Sequence, residues 1–169
     1  MVRGIAILCI LLSFTFKSEK EEYELKFGIA TKLFHYIKWP ENAMLNSDKF
    51  NIALYKENPF GEITDFYMKK MTIKGKKTNI YVIDSLSTLK GTHVLFVPKE
   101  YKSKLTSIAL SVPSDVLIIS ECLQCGSKGG MINLSMENSI IKFQINKKQI
   151  TNKGFKVNSK LYKLGKIVK

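Results

Sequence analysis

Hydrophobic and polar positions change their period along this chain. Tyr23, Phe27, Ala30, Phe34 and Ile37 recur at steps of four and three with Glu and Lys between them, which predicts an amphipathic helix with one buried face. Trp39-Pro40 stops it, because proline disfavours helical geometry in the residue before it. Four short apolar runs follow, at residues 50–55, 79–83, 93–97 and 116–119. Between them lie a helix opened by Asn58-Pro59-Phe60 and running through Met71, a short link at 85–91, and a helix-patterned stretch at 99–112. Strands alternating with helices indicate a parallel sheet covered on both faces.

After Gly130 the period drops to two. Ile132, Leu134 and Met136 alternate with polar neighbours, Glu137-Asn138-Ser139 makes a turn, and Ile141, Phe143 and Ile145 alternate again, which reads as a hairpin. Residues 146–153 predict a short helix ended by Gly154, and residues 159–168 a terminal one. The expected fold is therefore α/β: a three-layer sandwich, mostly parallel sheet flanked by helices, with a C-terminal β-hairpin.

The first sixteen residues differ in kind. Arg3 precedes an apolar run at 4–14 that is too short to span a bilayer comfortably and gives way abruptly to Lys17 and a run of Glu and Lys. That is the layout of a secretory signal peptide, expected over residues 1–18 with no readable cleavage site; residues 19–169 then form a single exported domain. At 169 residues and 45% apolar composition the chain holds one ordinary core.

The net charge of +13 suggests nucleic acid, yet Arg3 in the leader is the only arginine. Phosphate- and base-reading surfaces favour the planar fork of arginine, and the lysines here are dispersed. A solvated lysine surface, weakly attractive to acidic lipid or an acidic partner, fits better, and no nucleic-acid partner is expected.

Cys122 and Cys125 bracket Leu123-Gln124 just ahead of Gly126, Gly129 and Gly130. A structural zinc site needs four ligands, and beyond these two cysteines the domain offers only His35 and His93, neither at knuckle spacing, so no metal is expected. A thioredoxin-like centre needs a helix directly after the pair, as do the glycine-rich phosphate loops, and a strand follows instead. The pair is then either a disulfide clasping a glycine-rich loop or two free thiols. No nucleophile and base can be paired, and no cofactor is expected. Trp39, the only tryptophan, either plugs the core at a helix end or anchors a partner.

Taken in order, the helix ending in Trp39-Pro40, the strand running into Leu54-Tyr55-Lys56-Glu57-Asn58-Pro59-Phe60-Gly61, Gly75-Lys76, residues 92–98, Gly129 to Leu134, residues 142–146 and the stretch from Val157 resemble the YfiR-like family of exported bacterial proteins. The resemblance runs from about Glu22 to the C-terminus. It implies a compact periplasmic α/β sandwich without catalysis of its own, which acts as a repressor on the periplasmic part of a membrane-bound diguanylate cyclase or accompanies a sensor kinase. It also implies that an OmpA-like outer-membrane lipoprotein can sequester the repressor, and that homodimers form. Many relatives carry a cysteine before the strand that begins here at Thr92-His93; this chain lacks it. The expected partner-binding residues are Trp39, Pro40, Glu121, Gly129 and Gly130. The competing expectations are a periplasmic small-ligand module using the crevice of an open parallel sheet, and a thiol oxidoreductase.

Overall fold

The computed structural model describes residues 19–45, 47–122 and 125–168, and the expected leader lies outside them. Helix α1 (Glu19–Leu33) starts with Glu19, Glu21 and Glu22 and closes with Lys32, charges that complement the helix dipole at each end. All five residues of the apolar period are buried. The helix proper is shorter than the period predicts: a 3-10 turn, Phe34–Tyr36, and a two-residue strand, β1 (Ile37–Lys38), carry the chain to Trp39. After α2 (Glu41–Leu45) come β2 (Lys49–Tyr55), α3 (Ile63–Lys70), β3 (Thr72–Ile73) and β4 (Lys76–Ile83). Strand β5 (Val94–Val97), α4 (Leu105–Ser111) and β6 (Leu117–Glu121) complete the expected alternation.

The hairpin is β7 (Ile132–Glu137) and β8 (Ile140–Asn146), turning through Asn138 and Ser139, both at positive φ. Asn146 caps α5 (Lys147–Asn152) by accepting from the Gln149 amide, and Gly154 follows at φ +80°. The C-terminus departs from expectation: β9 (Lys156–Val157), α6 (Ser159–Leu164) and β10 (Lys166–Val168) replace the single terminal helix. Gly165 follows α6 in an extended conformation against the Phe143 ring, where a Cβ would stand 2.2 Å away, and the next residues join β8 in parallel.

The main sheet has the order β10-β8-β7-β6-β5-β2-β4-β3, and β1 pairs with β9 apart from it. Strands β4, β2, β5, β6 and β7 are parallel neighbours; β3 is antiparallel to β4, and β8 is antiparallel to β7 but parallel to β10. Every residue of β5 and β6 is buried, as a sheet with both faces covered requires. One face meets α1 and α3, where Phe27 lies 4.7 Å from Phe60 and 4.8 Å from Tyr67, and Phe60 reaches Phe96 of β5 at 4.6 Å. Leu105, Ile108 and Ala109 turn the apolar side of α4 inward.

At the start of β5 a compact node joins distant segments. Trp39 Nε1 donates to the His93 carbonyl at 2.9 Å, the Asn51 amide donates to His93 Nδ1 at 3.0 Å, and the imidazole stacks on Phe50 at 4.8 Å. Because Nδ1 accepts, the neutral ring carries its proton on Nε2. Burial first, and Lys76 next, hold the His93 pKa below its ordinary 6.5. The unfolded chain therefore takes up this proton before the folded one, and stability present above pH 6.5 is lost as pH falls. Urea denaturation at pH values between about 7.5 and 5.5 should show the midpoint falling with pH, with a flatter profile in His93→Asn.

Candidate functional site

The carboxyl ends of β2, β5 and β6 meet the N-terminal half of α1 at one end of the sheet. Glu121, the last residue of β6, accepts from Lys26 of α1, 95 positions earlier, and Lys26 also pairs with Glu22 one turn back. Lys26 is 3% and Glu121 4% exposed, so both charges are held out of water. Such a pair fixes the position of α1 on the sheet, since separating the partners would strand a buried charge. The Lys26 ammonium lies 4.9 Å from the Tyr23 ring centre. Burial, and then the neighbouring Glu121 charge, push the Tyr23 phenol far above its ordinary pKa.

Directly after Glu121, Cys122 and Cys125 are joined in a disulfide with a Cα separation of 5.2 Å. A 3-10 turn, Cys125–Lys128, carries the chain back to β7, and Asn146 Nδ2 donates to the Gly126 carbonyl to tie this turn to the end of β8. The glycines serve close packing. Gly129 has φ +105° and a Cβ there would sit 2.3 Å from the Ala109 Cβ; at Gly130 it would sit 2.3 Å from Asn133 Oδ1. Beneath them Ser120 Oγ donates to Asn133 Oδ1.

Two clefts open around this end. One, of about 540 Å³, is bordered by Glu19, Glu57, Asn58, Glu62 and Glu100 over Tyr23 and Phe60. It lies where the chain leaves β2 toward β4 on one side and β5 stands on the other, the place where open α/β sheets form crevices. The second, of about 460 Å³, runs past Lys99, Lys102, Lys128 and Ser135 over the Lys26–Glu121 pair and Cys122. Lys99 closes toward the first cleft by donating to Glu19 at 3.0 Å, a bond that raises its pKa. Among the described residues no three His, Cys, Asp or Glu side chains gather as metal ligands.

The expected partner-binding residues divide. Trp39 is 3% exposed and uses its indole N–H internally, which corrects its reading as a surface anchor: it plugs the core among Phe34, Phe50 and Phe155. Glu121 and Gly130 are buried, Gly129 and Pro40 partly so. They hold the loop and the chain turn in place, while Ser127 and Lys128 face solvent. Lys26 was hidden among the polar residues of α1. Its signal was its place three after Tyr23 and four before Ala30, on the buried stripe.

The architecture is an α/β fold shared with a solved structure of an ABC domain in complex with L-Trp from Streptococcus pneumonia. The likeness has a TM-score of 0.56 at 15% identity over 82% of this chain and 59% of that one, so this chain spans about three fifths of its length and shares its fold alone. No curated protein matches the sequence. The profile of the YfiR/HmsC-like family matches residues 23–166, and the chain belongs to that family. The family is one of regulatory proteins.

Breaking the buried pair provides a test. Lys26→Met strands the Glu121 carboxylate and should cost about 3–5 kcal/mol in urea denaturation, whereas Lys26→Met with Glu121→Leu should recover most of that loss.

Proposed function

We propose that this protein is an exported, non-enzymatic regulator that represses a membrane-bound diguanylate cyclase by binding its periplasmic part, thereby lowering cyclic di-GMP and opposing biofilm formation. The observation that carries the reading is the family match over residues 23–166. Two features support the compartment. The Cys122–Cys125 disulfide suits an oxidising space. Among the described residues no helix is long and apolar enough to cross a membrane.

Repression is then differential binding. The regulator holds the cyclase in its inactive state only by as much as it prefers that state, and an OmpA-like outer-membrane lipoprotein that sequesters the regulator releases the enzyme. A sensor kinase with a similar periplasmic domain would be bound by the same surface, and a homodimer would present that surface twice. The loop at 121–130 stays in this reading as a contact region whose shape the disulfide and the two glycines set.

A second reading, a small-ligand module, is favoured by the cleft of about 540 Å³ at the sheet crevice. It predicts a thermal shift with a metabolite panel.

Deleting the gene should raise cellular cyclic di-GMP, and restoring it should return the level. A strain carrying the Cys122→Ser, Cys125→Ser form reports whether the clasp contributes. An unchanged level on deletion would remove the cyclase from the proposal.

A further inference from the structure

The opposite end of the sheet, where the parallel strands begin, carries a groove that the regulator reading leaves unassigned. It measures about 530 Å³, and its apolar lining residues are Met44, Leu45 and the buried Trp39. Leu45 at the end of α2 is 82% exposed, an apolar side chain without cover. The rim is cationic. Lys38, Lys74 and Lys76 border the groove with Glu41 as the only acid among its lining residues. An adjoining depression of about 280 Å³ shares Lys38 and Lys74 and adds Lys156 from β9.

Two features show that these lysines are placed. Lys74 occupies the first position of the two-residue turn between β3 and β4 at φ 53°, a conformation that favours Asn or Gly, and its ammonium donates to the His35 carbonyl at 3.4 Å in the adjoining depression. Lys76 donates to the Ser47 carbonyl and so stands beside the end of α2. Burial lowers the Lys74 pKa, although the residue as a whole is exposed. The overall charge of +13 does not by itself produce this rim, because the cleft at the other end of β2 and β5 is bordered by Glu19, Glu57, Glu62 and Glu100.

We infer that this groove is a second docking surface for the partner, separate from the loop at 121–130, and that its occupant is an acidic protein segment which inserts an apolar side chain over Met44 and Leu45 and sets carboxylates against Lys38, Lys74 and Lys156. The inference rests on the regulator reading and adds the surface and the chemistry of the segment it grips. Charge complementarity selects the sign of the occupant, and the apolar lining between the lysines calls for an apolar side chain within it. A membrane surface would call for several protruding apolar side chains over a wider basic face, and here Leu45 alone stands out while Met44 is half-buried and Trp39 buried.

The test uses the deletion strain carrying the full chain as wild type, as Leu45→Glu with Lys38→Glu, as Lys156→Glu, or as Leu110→Glu. Leu110 is 84% exposed on α4, away from the groove, and serves as the control. Cyclic di-GMP should fall to the undeleted level with wild type and Leu110→Glu. It should stay at the deletion level with the double variant and lie between with Lys156→Glu. Purified proteins should melt together, and none should co-sediment with vesicles containing phosphatidylglycerol. Full repression by a well-expressed double variant would overturn the groove while leaving the regulator reading intact. Lost repression accompanied by lost vesicle binding would assign the groove to the membrane. An unchanged level on deletion would remove the regulator reading, and the occupant named here with it.

Discussion

A parallel sheet whose central strands are apolar on both sides must be covered twice, and most of this structure follows from that requirement. Strands β5 and β6 are buried at every position, so neither can be an edge or face solvent. Helices α1 and α3 close one face, and α4 packs its apolar side inward elsewhere on the sheet. Antiparallel additions, β3 at one side and β8 at the other, take the sheet toward its margins, where alternation can return.

Covering a sheet with a helix does not say where the helix sits along it. Here two polar arrangements settle that question at opposite ends. Lys26 meets Glu121 at the carboxyl end of β6, and Trp39 meets the His93 carbonyl at the amino end of β5. Greasy contacts such as Phe27 on Phe60 tolerate sliding, whereas a buried ion pair and an indole hydrogen bond do not. The same two fixed points bound the two ends discussed for function: the loop with the disulfide lies beyond the first, and the lysine-rimmed groove beyond the second.

The central alternation was legible because apolar runs such as residues 94–97 and 117–119 have no other stable home. The hairpin was legible because Ile132, Leu134 and Met136 keep the strand period until a turn of Glu, Asn and Ser. The edges were not. Lys166-Ile167-Val168 is too short to show a period, and it becomes a strand only because β8 offers unpaired backbone beside it. Strands of two residues, β1 and β9, exist for the same reason. At the site, the cysteine spacing marked the loop that carries the disulfide, but no pattern distinguishes a surface tryptophan from a core one. Burial of Lys26 depends on a glutamate 95 residues away, a relation no local window contains.

The pairing of β1 with β9 has a kinetic consequence. Ile37 opposes Val157 and Lys38 opposes Lys156, so a segment near the start of the described chain is closed by one near its end. With α1 also waiting for Glu121, the earliest helix has no finished seat until most of the polypeptide is present. Contacts of such sequence separation slow folding, because the entropy of closing a long loop is lost before any of them form. The domain should consequently assemble as one cooperative unit late in its synthesis, with no stable folded N-terminal half along the way.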